Sequence, residues 1–127
     1  MAEIVKGQCK CGAVQYSGTR HDAPMFRCYC RDCQQITGAG HSEMMPLVAS
    51  SFEFDGPYRQ FEMTGGSGRP TWSGFCSNCG SPLTRRSARM ADRVYVHAAS
   101  LSDPSAYQPS KVINSHSAQP WDRPTET

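Results

Sequence analysis

A chain of 127 residues is the size of one domain, and with 38% hydrophobic residues, 11 glycines and 9 prolines it predicts a lean, turn-rich core without long helices. The formal charge of +2 comes from scattered basic residues, with Arg85-Arg86 the only adjacent Lys/Arg pair, so no phosphate footprint forms and nucleic acid is not a favoured partner. No stretch is apolar and long enough for a signal peptide or a membrane span, which predicts a cytoplasmic protein with no membrane partner.

Taken in order, Ile4 to Lys10 and Ala13 to Ser17 read as short strands, the second from the alternation of Val14 and Tyr16 with Gln15 and Ser17. Between them lie Cys9 and Cys11, the latter followed by Gly12. A glycine there can take positive φ and let backbone N–H groups turn toward sulfur. Gly18 to Pro24 is polar and turn-like, and Met25 to Cys28 is a third strand. It runs into Cys28, Cys30 and Cys33, after which Asp32 to Thr37 predicts one short helix stopped by Gly38-Ala39-Gly40. Strands are expected at Met44 to Ser50, Phe52 to Phe54 and Tyr58 to Thr64, with a turn at Asp55-Gly56-Pro57. The loop Gly65 to Pro70 has no phosphate-binding pattern after it. Thr71 to Phe75 leads to Cys76, Cys79 and Gly80. Strands at Leu83 to Arg86, Arg93 to Ala98 and Lys111 to Asn114 complete a mainly β chain of several short sheets. Residues 1–127 form a single domain, with 122–127 expected as a flexible tail.

Seven cysteines are too many for one metal site and odd for disulfides. In a protein that is not secreted, clustered cysteines favour metal over disulfides. Seven thiolates around two divalent ions would take the formal charge from +2 to about −1. CxC and CxxC pairs each put two sulfurs on a tight turn. Two similar knuckles, each closed by a glycine, would face one another as Cys9, Cys11, Cys76 and Cys79, a closed structural zinc site. Cys28, Cys30 and Cys33 remain as a second zinc site with a fourth position either open or filled by a histidine: His21, His41, His97 or His116. Of these His41 follows the trio closely enough to reach it, whereas His97, in mid-strand, reads as a packed or surface residue.

The layout Gly7-x-Cys9-x-Cys11-Gly12-x-Val14-x-Tyr16, Cys28-x-Cys30-x-x-Cys33 and Phe75-Cys76-x-x-Cys79-Gly80-x-x-Leu83 resembles the glutathione-dependent formaldehyde-activating family, whose domain centromere protein V shares. Ser67-Gly68-Arg69, Ala99-Ser100-Leu101 with Asp103-Pro104, and Pro120-Trp121 extend the resemblance over nearly the whole chain. The resemblance implies a mainly β, tent-like fold shared with Rab-associated zinc-binding proteins. It implies two Zn²⁺ cofactors, a structural one at Cys9, Cys11, Cys76 and Cys79 and a second at Cys28, Cys30 and Cys33 that accepts the thiol of glutathione. It further implies a carbon–sulfur lyase joining glutathione and formaldehyde as S-(hydroxymethyl)glutathione. The chain departs from the family where histidine commonly stands between the first two cysteines of the trio and Tyr29 is found here. It departs again at Ala39 to Glu43, which is less apolar than the family's segment; these positions are expected to line the pocket.

A metal-bound thiol is deprotonated, while a free one of pKa about 8.5 is a few per cent thiolate at pH 7. Lower basicity returns part of that gain, since nucleophilicity falls with a slope of about 0.4–0.5. The expected partners are therefore a glutathione-like thiol and an aldehyde, in an enzyme or in a carrier of the thiol or its adduct. A zinc-stapled binding module without chemistry and a Cys30–Cys33 redox pair are the competing readings. Arg27, Arg31 and Arg69 are candidates to meet an anionic ligand but read as solvated surface charges and are not assigned to the site, and His41 with Glu43 is the titratable pair near the trio. No residue is assigned as general acid or base.

Overall fold

The alternation at Val14 and Tyr16 becomes burial: both side chains lie in the core of the computed structural model, which describes residues 3–123, while Gln15 is exposed. The described strands are β1 (Ile4–Gln8), β2 (Gln15–Thr19), β3 (Phe26–Cys28), β4 (Ser42–Val48), β5 (Glu53–Asp55), β6 (Tyr58–Thr64), β7 (Pro70–Cys76), β8 (Pro82–Ser87), β9 (Arg93–His97) and β10 (Lys111–Ile113). One helix, α1 (Arg31–Thr37), interrupts them, and short 3₁₀ turns fill several connections. The chain is mainly β, as its composition predicts.

The strands form two sheets, one of three strands ordered β1-β2-β5 and one of seven ordered β10-β3-β4-β9-β8-β7-β6. All pairings are antiparallel except β10 with β3, where the C-terminal part of the chain returns alongside the strand that carries Cys28. The core joins the sheets: Val5, Val14 and Tyr16 from the small sheet pack with Met45, Leu47, Leu83 and Val96 from the large one. β4 is buried along most of its length, as expected of a central strand. It carries Pro46 in mid-strand, where a missing N–H is usually unfavourable. Pro46 O accepts from His21 N, so the proline ring points to the side where β3, paired only opposite Ser42 to Met44, has already ended. No ladder bond is lost.

The first strand is shorter than predicted. Cys9 and Lys10 belong to a turn closed by Gly12 N donating to Cys9 O at 3.1 Å. β6 is an edge strand, and most of its side chains are exposed, with Phe61 63% accessible. Of the tail expected at 122–127, residues 124–127 lie outside the described residues; Asp122 packs back onto His41.

Candidate metal centres and the adjoining cleft

Cys9 and Cys11 sit on the turn after β1, and Cys76 and Cys79 on the turn after β7. Their four sulfurs lie within 4.8 Å of one another. Cys9 Sγ is 3.6 Å from Cys11 Sγ, and Cys11 Sγ is 3.8 Å from Cys76 Sγ. A tetrahedron with Zn–S bonds of about 2.3 Å has edges of about 3.8 Å, so the donor set fits zinc. The spacings are far beyond a disulfide, and all seven cysteines are free. Gly12 and Gly80 have φ of 78° and 80°, as the knuckles require. The N–H groups that reach sulfur belong to neighbours of these glycines: Val14 N donates to Cys9 at 3.2 Å, and Asn78 N and Cys79 N to Cys76 at 3.3 and 3.4 Å. The Asn78 amide donates to Cys11 at 3.3 Å. Hydrogen bonding to Ser81 holds Cys79 down to about 5.

The second group forms where β3 runs into α1. Cys28 ends the strand, Cys30 caps the helix and Cys33 lies in its first turn, with all three sulfurs within 4.8 Å. Gly38, in the left-handed region at φ 73°, ends the helix by donating to Gln34 O, as expected of its sequence. Among the described residues no histidine or carboxylate completes this group. His41, the candidate nearest in sequence, is committed elsewhere: Nε2 lies 2.8 Å from Glu43 Oε2, and Nδ1 meets Asp122 Oδ2. His21 is held by Asp92 and Ala23 N, and His116 is exposed. His97 is buried, with Nε2 unpartnered; burial, then the charge of Arg85, lowers it to about 4.

Each sulfur of the trio accepts one N–H: Cys28 from the Asn114 amide at 3.3 Å, Cys30 from Cys33 N at 3.3 Å, and Cys33 from Arg85 Nη1 at 3.7 Å. Such donors favour thiolate over thiol. Hydrogen bonds from Cys30 and Cys33 pull Cys28 down to about 2, and Cys33, on the donating side, is raised. Cys28 and Cys33 are buried while Cys30 is half-buried, so solvent reaches the trio on the Cys30 side. Three acceptor sulfurs with one approach fit a zinc ion bound by three protein ligands.

A cleft of about 850 Å³ opens beside Cys9 of the four-cysteine group, and none of the trio's cysteines lines it. It runs from Cys9 and Lys10, past Ser81 and Pro82, to Thr37, His41, Ser42 and His97. Of the segment Ala39 to Glu43, all but Gly40 line it, whereas Tyr29 is buried with its ring 5.1 Å from that of His41. The cleft's link to the trio is Ser42, which lines it and pairs with Cys28 across β3 and β4. The three arginine candidates stand away from the trio's sulfurs: Arg27 pairs with Glu43 at 2.7 Å, Arg31 bonds Gln34, and Arg69 is exposed in the β6–β7 loop. The arginine at the trio is Arg85. Sequence reading missed it, together with Asn114 and Asp122, because each arrives from a strand or turn more than 50 residues away.

The chain matches the family described as glutathione-dependent formaldehyde-activating enzyme over residues 4–117. No curated protein is significantly similar to it. Among solved structures, a structural-genomics target from Rhodobacter sphaeroides has the same fold. It is 20% identical, with a TM-score of 0.66 over 84% of this chain and 98% of that one.

Proposed function

Because the chain belongs to the glutathione-dependent formaldehyde-activating enzyme family, we propose that it is a zinc protein acting on a small thiol and an aldehyde, of the glutathione and formaldehyde kind. Cys9, Cys11, Cys76 and Cys79 would hold a structural zinc, and Cys28, Cys30 and Cys33 a second one. The observation that carries this reading is the trio itself: three hydrogen-bonded sulfurs, no fourth protein ligand among the described residues, and access at Cys30. When bound there, zinc supplies a position at which an external thiol is held as its thiolate.

The chain's own residues then bind and orient. The cleft receives the body of the thiol beside Ser42, with Lys10 as a cation within it. In the joining reaction a sulfur lone pair forms the S–C bond, the carbonyl π pair moves to oxygen, and the proton lost by the thiol ends on that oxygen. Nothing else is consumed. Positioning both reactants is the larger contribution expected of such a site, since three thiolate ligands blunt the ion's Lewis acidity.

A second reading, a carrier that holds the thiol or its adduct without accelerating the addition, is favoured by one feature. Of the two histidines that line the cleft, His41 has both ring nitrogens occupied by carboxylates, and His97 keeps Nε2 unpartnered but buried, its basicity lowered by burial and by the charge of Arg85, so neither offers a strong base at the approach. The test is metal analysis followed by rate measurement. Two zinc ions per chain, and turnover well above the spontaneous addition that disappears in a folded Cys30→Ala variant, support the enzyme. Thiol binding without acceleration supports the carrier. A cobalt-loaded protein whose visible spectrum ignores glutathione rejects the glutathione reading.

A further inference from the structure

Arg85 stands at the trio with no carboxylate paired to it among the described residues. It projects from β8, donates through Nη1 to Cys33 Sγ at 3.7 Å, and has its Nε buried without a hydrogen-bond partner. The buried hydroxyl of Ser42 lies beside the same cysteine. Arg85 is half-buried, and a guanidinium whose Nε is withdrawn from water with no counter-ion is unfavourable. The negative charge it touches is that of the Cys33 sulfur as a thiolate.

Charge counting gives this contact a purpose. Three thiolates on one divalent ion leave a net charge of minus one, which the guanidinium offsets. A fourth anionic sulfur raises the ion and its ligands to minus two, and with Arg85 included the group carries only minus one. A neutral fourth ligand gains nothing comparable from the guanidinium. We propose that Arg85 is a positioning residue that makes the fourth position at the trio selective for an anionic sulfur over neutral ligands. The inference rests on the second zinc site read above and specifies which ligands it accepts.

The full chain is loaded with cobalt, and its visible spectrum is followed during titration with 2-mercaptoethanol, which has no carboxylate, with glutathione, and with imidazole. Wild type is compared with Arg85→Gln, Arg85→Met and Arg85→Lys. Removal of a residue hydrogen-bonded to a metal ligand commonly costs about 10–100-fold in affinity. The expected result is that Arg85→Gln and Arg85→Met keep two cobalt ions per chain and bind both thiols about 10–100-fold more weakly. Imidazole binding should stay near the wild-type value, and Arg85→Lys should regain most of the thiol affinity.

Unchanged thiol affinity in the neutral variants overturns the proposal. So does a loss confined to glutathione, which would make Arg85 a carboxylate anchor, and so does an equal loss for imidazole. Neutral variants that no longer hold the second cobalt, while Arg85→Lys does, assign the charge to the three cysteines themselves and overturn the selectivity. A wild-type spectrum that responds to none of the probes overturns it as well, since no position is then open. A wild type that ignores glutathione but binds 2-mercaptoethanol rejects the glutathione reading alone, and the 2-mercaptoethanol series still decides the role of Arg85.

Discussion

The side-chain amide of Asn114 donates to Cys28 Sγ at 3.3 Å, and Asn114 is the one non-glycine residue among those described with positive φ, at 57°. One residue thus carries a left-handed backbone and a bond to a metal-site sulfur, and two substitutions separate the roles. Asn114→Gly keeps the backbone and loses the amide; Asn114→Ala loses both and adds a left-handed penalty of about 1–2 kcal/mol. Denaturant unfolding should therefore show Asn114→Ala clearly less stable than Asn114→Gly. Chelator competition should show both variants holding the second metal about tenfold more weakly, the low end for a residue bonded to a ligand. Wild-type metal affinity in both would mean that the amide does nothing for the site.

The four-cysteine group ties the turn after β1 to the turn after β7, across 65 residues between Cys11 and Cys76. Structural zinc contributes about 10–16 kcal/mol in small peptides, as much as the whole stability of an ordinary domain, about 5–15 kcal/mol. With a core this lean, Cys79→Ser or exhaustive chelation should leave a largely unfolded chain by circular dichroism. Cys30→Ala, at the half-buried position of the trio, should stay folded and lose one metal of two. A cooperative thermal transition persisting in metal-free protein would contradict the first expectation.

Local chemistry made most of this fold readable. Period-two alternation placed Val14 and Tyr16, and the cysteine–glycine knuckles paired Cys9 and Cys11 with Cys76 and Cys79, because these signals depend on neighbours in sequence. What escaped depends on distant partners. His41 looked able to reach the trio, but Glu43 and Asp122 hold both of its ring nitrogens, and Asp122 lies 81 residues away in a stretch that reads as tail. Arg85 was one of several scattered basic residues. Only the register of β8 against β9, and of β9 against β4, carries it to Cys33. Gly40 is similar: a Cβ there would overlap the Asp122 carboxylate, a constraint with no trace in the local sequence.

Gly7 and Tyr16 face one another across β1 and β2, and a Cβ at Gly7 would overlap the tyrosine hydroxyl, the ring carbon that bears it and the Ser100 carbonyl oxygen. Tyr16 is buried and its hydroxyl bonds Ser100 Oγ at 2.6 Å, so it cannot simply swing away. Gly7→Ala should cost about 1–3 kcal/mol, as overpacking does. Tyr16→Phe should cost about 0.5–1.5 kcal/mol through the lost hydrogen bond. The double variant should cost less than the two losses combined, because phenylalanine vacates part of the space the new methyl needs. Strict additivity in denaturant unfolding would sink this account.

His97 should remain neutral well below the pH at which histidines ordinarily ionise. Burial, reinforced by the charge of Arg85, lowers it to about 4, against about 6.5 in an unfolded chain. The sign follows from proton uptake. As pH falls through about 6.5 the unfolded state binds the proton first, so the contribution of the neutral ring is complete above that value and is lost progressively toward pH 4. The full difference amounts to about 3 kcal/mol. In zinc-loaded protein the His97 ring resonances should be unchanged between pH 7 and about 5.5, while an unperturbed histidine passes its midpoint there. His97→Gln should flatten the fall in stability over the same interval. A midpoint for His97 near 6.5 would show that water reaches the ring and that Arg85 lies too far away to act on it.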